Sequence, residues 1–334
     1  MALKVAINGF GRIGRAVFKS LVDPRRDVEI VGVNDITDAR TLAYLLAHDS
    51  VHGRFGAKVE ARDGNLVVDG RAIPVTAERD PAALPWKARQ VDVVVESTGR
   101  FSSRADAQKH LAAGARKVVI TAPGKDVDLT VVLGVNDDRI TADQHVISNA
   151  SCTTNCVTPL AKVLLDGFGF RHGLMTTIHS YTQDQVLLDA PHKDLRRGRA
   201  AALSMIPTTT GAARATALAL PQLKGKIDGL SIRVPTPNVS LVDLTAEVER
   251  PTTVQAVNAA FAAAAEGPLE GILAYSEEPL VSVDFNGSTH SAVFDATVTS
   301  VVEGTLVKVL AWYDNEIGYS SRVADLVVLL RKFL

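Results

Sequence analysis

The sequence predicts an α/β chain in two parts: an open, mostly parallel sheet with helices on both faces, then an α+β region with a mixed, largely antiparallel sheet. Three observations predict it. Short Val/Ile runs alternate with helical patterns through the first third of the chain. A G-x-G-x-x-G segment, Gly9-Phe10-Gly11-Arg12-Ile13-Gly14, follows the first of those runs and opens a helix. Beyond residue 150, strand-like runs succeed one another with less helix between them and only partial alternation.

In order, Leu3 to Asn8 reads as a strand and Gly11 to Leu21 as a helix with Ile13, Val17, Phe18 and Leu21 on one stripe. Val28 to Val33 is a second strand, and Thr37 has the character of an N-cap for a helix through Ala47. Val91 to Val95 and Lys117 to Ile120 read as buried strands on either side of a helix at Ser103 to Ala113. Repeated strand–helix–strand units make a parallel sheet. Met175 to Tyr181, Leu230 to Val234, Val239 to Val248 and Leu306 to Tyr313 supply the second sheet, with helices at 152–167, 211–220 and 252–264 over one face. The chain closes on a helix whose stripe of Tyr319, Val323, Leu326, Val327 and Leu330 must dock on something. The change of pattern divides the chain into residues 1–150 and 151–314, with the last helix at 315–334.

Composition narrows the function. With 334 residues and 46% hydrophobic content, the chain can bury cores for two domains. A net charge of −1 gives no bulk electrostatic case for nucleic acid or an anionic membrane. No charged leader precedes the first strand, and no apolar run reaches the roughly 18–20 residues of a membrane span, so a cytoplasmic location is expected. The two cysteines, Cys152 and Cys156, are too few for a disulfide framework or a structural zinc site, so no metal is expected.

The glycine segment has a physical reading. Gly9 permits the tight turn, Gly11 lets backbone approach a pyrophosphate, and Gly14 allows close helix–strand contact. The helix start then offers N–H groups and partial positive charge to phosphates. Asp35 ends the second strand about twenty residues on, where a carboxylate accepts from ribose hydroxyls and repels a 2′-phosphate. That favours NAD over NADP; the alternative for Asp35 is a turn or helix cap. Thr98, in Glu96-Ser97-Thr98-Gly99, and Thr121, in Thr121-Ala122-Pro123-Gly124, follow later strands and sit where such sheets bind ligands, or are ordinary turn residues.

Ser148-Asn149-Ala150-Ser151-Cys152-Thr153-Thr154-Asn155-Cys156 leads into an apolar helix, which puts Cys152 in or just before its first turn. A helix N-terminus favours the thiolate. A thiol of pKa ~8.5 is only a few per cent ionised at neutrality and needs a base. His179, at the end of a predicted strand, is the candidate; a structural histidine is the alternative. Cys156, one turn deeper, reads as structural or as a redox partner. Thr208-Thr209-Thr210-Gly211 before a helix is a natural anion site, though one threonine is explained by capping alone. Arg233 in an apolar strand needs an anionic partner, a ligand or a structural carboxylate. Arg196, Arg197 and Arg199 form a basic patch, mostly solvated or at an interface.

Taken together, Asn8 to Gly14, Ser148 to Pro159, Pro191 to Arg197, Ile206 to Ala212, Arg233 to Ser240 and Trp312 to Ser320 resemble the signatures of glyceraldehyde-3-phosphate dehydrogenase, of the phosphorylating, NAD-dependent, bacterial type. The resemblance covers essentially the whole chain. It implies a Rossmann NAD-binding domain completed by the C-terminal helix and a catalytic domain. It implies that Cys152 forms a hemithioacetal and then a thioester, with His179 as base. Thr182, Arg197 and Arg233 would hold the phosphate of glyceraldehyde 3-phosphate. Ser151, Thr153, Thr210 and Gly211 would hold the inorganic phosphate that attacks the thioester. Arg12, Ile13, Asp35, Arg79 and Thr121 would contact the cofactor, and Asn315 would orient the nicotinamide with Tyr319 close by. It implies a homotetramer in glycolysis or gluconeogenesis, with the segment from Ser180 to Leu203 lining a neighbour's cofactor site. Ala190 resembles members that also accept NADP, against the weight of Asp35. Alternatives are erythrose-4-phosphate dehydrogenase, which releases the acid by hydrolysis, and a dinucleotide-binding module without turnover.

Overall fold

A computed structural model describes residues 2–334. The chain forms two compact units, one of residues 2–131, 139–150 and 320–334 and one of residues 132–138 and 151–319. Residues 132–138 and 315–319 thus group with the second unit.

The first unit carries a seven-stranded sheet in the order Leu129–Thr130, Val146–Ser148, Lys117–Ile120, Val93–Glu96, Leu3–Asn8, Val28–Asn34, Val75–Thr76. Every pairing in it is parallel. The central strands are Val/Ile runs buried on both faces, as a sheet covered by helices on each side requires. The order reverses between Leu3–Asn8 and Val93–Glu96, and their ends meet in register at Asn8 and Glu96. Loops leaving the two ends diverge there, which opens a ligand crevice at the carboxyl edge.

Local chemistry places the elements, corrects two expectations and adds an element. The helix Ala39–Ala47 is capped by Asp38, whose carboxylate accepts from Thr41 N at 3.0 Å, and not by Thr37. The Thr37 N–H is taken instead by Asp35 Oδ1 at 2.9 Å. The strand expected from Val91 begins at Val93; Val91 is buried, but in the preceding loop. Residues 59–73 form a meander, Val59–Arg62, Asn65–Val68 and Arg71–Ile73, that periodicity does not reveal. Its signal lies in the turns: Asp63-Gly64 and Asp69-Gly70 all have positive φ, the two-residue hairpin geometry that Asp-Gly favours.

The second unit's sheet runs Ile206–Thr209, Ile227–Val234, His172–Ser180, Ser240–Glu247, Leu306–Tyr313, Ala292–Asp295, Leu273–Ser276, with Ser300–Val302 paired to Leu306–Tyr313. Two pairs are parallel, His172–Ser180 with Ile227–Val234 and Leu273–Ser276 with Ala292–Asp295; the others are antiparallel. Val307, Val309, Ala311 and Tyr313 alternate onto the buried face, under the helices Cys152–Phe168, Ala212–Ala219 and Val254–Glu266. Phe261 and Phe294 stack at 3.9 Å in that core.

The last helix, Ile317–Leu329, buries Val323, Leu326, Val327 and the following Leu330 completely. Within the first unit, Arg26 pairs with Asp325 at 2.7 Å and Arg331 with Asp27 at 3.3 Å. Its apolar stripe and flanking charges together seat residues 320–334 there.

Truncating Phe294 removes one member of the stacked pair and leaves a cavity between helix and sheet. Phe294→Ala is expected to lower the unfolding free energy by about 3–5 kcal/mol, read from urea denaturation of the second unit's transition.

Candidate active site

The helix Cys152–Phe168 starts where small polar residues meet an apolar run. Ser151 is its N-cap, with Oγ accepting from Thr154 N at 3.1 Å. Cys152 is therefore the first helical residue, and its half-buried thiol looks out of the helix start. Opposite stands the end of the strand His172–Ser180, which delivers His179 with Nε2 3.5 Å from Cys152 Sγ. On the far side of the ring, His179 Nδ1 lies 2.7 Å from the Ser180 carbonyl oxygen. A carbonyl only accepts, so Nδ1 carries the proton and the Nε2 lone pair faces sulfur.

Tyr313 braces the pair. Its hydroxyl bonds Thr153 Oγ1 at 2.9 Å and Thr177 Oγ1 at 2.8 Å, which ties the helix start to the histidine strand. Its ring meets His179 edge-on at 6.0 Å. Burial drives the Tyr313 phenol well above its ordinary pKa, so it stays a neutral donor and acceptor. The fully buried Cys156 is pushed up likewise and sits inert in the core.

Burial raises the Cys152 thiol, against the lowering by Arg233, by the Thr153 hydroxyl and by the backbone N–H groups of the helix start. Burial also pushes the His179 imidazole down to about 3, with the Arg233 guanidinium adding to the effect. A proton passed from Sγ to Nε2 makes both charges together, 3.5 Å apart, and each becomes the other's counter-ion.

Beside this pair lies a cationic cluster. Arg233 Nη1 donates to Thr182 Oγ1 at 2.5 Å and to the Ser180 carbonyl at 3.4 Å. Arg197 donates from Nε to Thr208 Oγ1 at 3.0 Å and from Nη2 to the Thr209 carbonyl at 3.3 Å. Both arginines share Asp184, at 2.5 Å from Arg197 and 3.8 Å from Arg233, and Thr182 also donates to it. Arg233 is mostly buried and its Nε has no partner among the described residues. Thr210 Oγ1 accepts from Ala212 N at 3.2 Å, so its hydroxyl takes one N–H of the helix that starts after Gly211, itself without a side chain to cap it. The chain thus brings Thr182, Arg197, Arg233 and the 208–211 loop into one hydrogen-bonded cluster.

In the first unit the glycine segment behaves as its spacing demands. Gly9 has φ +90°, and a Cβ there would stand 2.6 Å from Thr98 N. A Cβ on Gly14 would strike the Gly9 carbonyl, and Gly11 faces open space. The helix Arg12–Leu21 has no side-chain cap and no acidic residue in its first turn. That leaves its start to an anionic ligand and fits the pyrophosphate of a dinucleotide. Asp35 accepts from Phe10 N at 2.8 Å as well as from Thr37 N, so it is both a cap and a carboxylate fixed beside the glycine turn. Ile13 is half-buried, Arg12 pairs with Asp49 at 3.1 Å, and Arg79 is exposed. Thr98 is bonded to Glu96, and Thr121 donates to the Glu96 carbonyl through N at 3.0 Å and Oγ1 at 3.1 Å. In the second unit, Asn315 accepts from Ser240 Oγ at 2.7 Å, and both Asn315 and Tyr319 are buried. Among the described residues no group of His, Cys, Asp or Glu side chains is arranged to hold a metal.

Sequence reasoning missed Tyr313, Asp184 and Asp194, the last of which accepts from Thr208 Oγ1 at 2.6 Å. A tyrosine on a buried strand reads as core. An isolated aspartate carries no local mark of the arginines it will meet.

Comparison with known proteins gives one consistent result. A family model described as "Glyceraldehyde 3-phosphate dehydrogenase, NAD binding domain" matches residues 3–104, and one described as its "C-terminal domain" matches residues 151–315. The chain is 63% identical over 332 residues to "Glyceraldehyde-3-phosphate dehydrogenase" of Geobacillus stearothermophilus, spanning 99% of this chain and 98% of that one. It is 60% identical over 328 residues to "Glyceraldehyde-3-phosphate dehydrogenase 1" of Bacillus cereus, spanning 98% of each. It is 56% identical over 332 residues to the Streptomyces coelicolor protein of the first name, spanning 99% of each.

If Cys152 and His179 ionise as one unit, removing the imidazole takes away the thiolate's counter-ion. His179→Asn is then expected to move the pH midpoint of Cys152 alkylation by iodoacetamide upward by about 1–2 units. A midpoint that stays or falls contradicts the coupling.

Proposed function

This chain belongs to the glyceraldehyde-3-phosphate dehydrogenase family, and from that premise we propose how its own residues oxidise glyceraldehyde 3-phosphate with NAD and phosphate to 1,3-bisphosphoglycerate. The observation that carries the proposal is the 3.5 Å approach of Cys152 Sγ to a His179 Nε2 whose tautomer the Ser180 carbonyl selects.

Cys152 Sγ attacks the aldehyde carbon while Nε2 manages the proton, giving a hemithioacetal. An aldehyde gives up hydride poorly; its adduct, once the hydroxyl proton moves to His179, gives it up readily. When bound, NAD supplies the hydride acceptor. The product on the protein is a thioester at Cys152. Attack by inorganic phosphate forms the acyl phosphate and expels the thiolate, with His179 as its counter-ion.

Two groups of residues sort the two phosphates. Thr182, Arg197 and Arg233 hold the substrate's own phosphate, and Asp184 occupies that place between the arginines beforehand. Ser151, Thr153, Thr210 and Gly211 take the attacking phosphate; the Ser151 and Thr153 oxygens accept within the protein, and their hydroxyl hydrogens donate to it. The helix start at Gly211, where Thr210 takes the Ala212 N–H and stands beside the remaining N–H groups, supports this assignment and with it phosphorolysis over hydrolysis. In the first unit, Gly9, Gly11, Arg12, Ile13, Gly14, Asp35, Arg79, Thr98 and Thr121 hold the cofactor, and Asp35 selects NAD. Asn315 and Tyr319 serve the nicotinamide end.

The chain acts as a homotetramer in the cytoplasm. Leu187, Leu188, Leu195, Leu203 and Met205 are between 70% and 86% exposed in the single chain, within one segment, which supports burial against another copy. No helix among the described residues is long and apolar enough to cross a membrane.

The wild-type enzyme, migrating at the mass of four chains, is expected to produce reduced nicotinamide steadily only with phosphate present, and Cys152→Ser to produce none. Turnover indifferent to phosphate identifies a hydrolytic enzyme and refutes the roles of Thr210 and Gly211.

A further inference from the structure

A buried polar chain runs beneath the glycine turn of the first unit, and none of the steps above uses it. Glu96 ends the central strand Val93–Glu96 and is 2% exposed. One carboxylate oxygen accepts from Thr98 N at 2.9 Å and from the Thr98 hydroxyl. The other lies 2.6 Å from Asn8 Nδ2 and 3.0 Å from His110 Nε2. His110 is fully buried, and its Nδ1 lies 3.0 Å from Trp86 Nε1. An indole N–H only donates, so Nδ1 of His110 accepts and its Nε2 carries the hydrogen that points at Glu96. Asn8 continues the chain on the other side: its Oδ1 accepts from Asn34 Nδ2 at 2.7 Å, and Asn34 Oδ1 accepts from Glu78 N at 2.9 Å.

Direction is imposed at every link. Four donors converge on Glu96, a pattern that a carboxylate satisfies and an amide does not. The chain also touches every loop that leaves the sheet at its reversal. Glu96 fixes Thr98; Thr98 N and Ser97 lie against Gly9, too close for a Cβ; Ser97 Oγ donates to the Gly9 carbonyl at 2.6 Å. Asn8 precedes Gly9, and Asn34 holds the backbone just before Arg79.

We propose that Glu96, oriented by His110 and Trp86, is a positioning residue for the cofactor: it holds Thr98 and the Gly9 turn at the spacing that a dinucleotide's pyrophosphate requires. The inference rests on the reading that the Gly9 turn and Asp35 contact NAD. Trp86, His110 and Glu96 are themselves buried. Their effect is to remove the freedom of the loops that contact the ligand, so that binding orders less backbone.

The test is NAD affinity of the assembled enzyme by calorimetry, set against kinetics. Glu96→Gln turns an amide N–H toward donors, and its dissociation constant for NAD is expected to rise about tenfold. KM for glyceraldehyde 3-phosphate at saturating NAD should stay within about twofold, which a general loss of structure does not allow. His110→Ala, which removes one donor of the four, is expected to weaken NAD by about threefold and keeps the test open if Glu96→Gln fails to fold. Asp35→Ala is the control for the underlying reading: if it binds NAD as the wild type does, that reading is wrong. If Asp35→Ala binds poorly while the Glu96 and His110 variants bind as the wild type does, or lose both ligands equally, the positioning role is overturned.

Discussion

The contact between Cys152 Sγ and His179 Nε2 sets the demands that the second unit meets. Neither group carries charge easily where it sits: burial holds the thiol up and the imidazole down. In the proposed mechanism a shared proton, moved over a short and fixed path, makes the nucleophile. The path is fixed from three directions. Ser151 starts the helix that presents the sulfur, the Ser180 carbonyl sets the tautomer, and Tyr313 clamps helix to strand through Thr153 and Thr177. The helix and the strands His172–Ser180 and Leu306–Tyr313, with Ser240–Glu247 between them, must all be in place for that clamp to close, so the sheet order sets the geometry of the proposed site.

The anion sites follow the same logic. Two guanidiniums beside a reactive thiol would be costly without a counter-ion, and Asp184 supplies one. In the proposed reading a phosphate meets arginines that Asp184 already holds in place. In the first unit, buried side chains do for the glycine turn what Tyr313 does for the thiol: groups with no part in the chemistry hold the geometry of those that have one.

What was legible in the sequence was local. The spacing of Gly9, Gly11 and Gly14 after a strand, and small polar residues before the apolar helix at Cys152, each encode a backbone conformation within a dozen residues. The strands Leu3–Asn8, Lys117–Ile120 and Leu306–Tyr313 stand where their patterns put them. What failed was of two kinds. Competing caps, Thr37 against Asp38, differ by which hydroxyl or carboxylate reaches an N–H, and periodicity is blind to that. Long-range polar partners have no local signature: Tyr313 finds Thr153 across 160 positions and Thr177 across 136, and Asn8 finds Glu96 across 88. The Asp-Gly pairs at 63–64 and 69–70 did signal the meander, in a stretch whose strands are too short for a pattern to show.

The central claim is that one sulfur carries the substrate while it is oxidised. Its most direct test is to mix enzyme, NAD and glyceraldehyde 3-phosphate without inorganic phosphate, quench in acid, and map the chain by mass spectrometry. The account predicts a phosphoglyceroyl thioester on the peptide containing Cys152, at Cys152 and not Cys156, which disappears when phosphate is added before the quench. An unmodified Cys152 in a chain that has released reduced nicotinamide, or an adduct on any other residue, would contradict it.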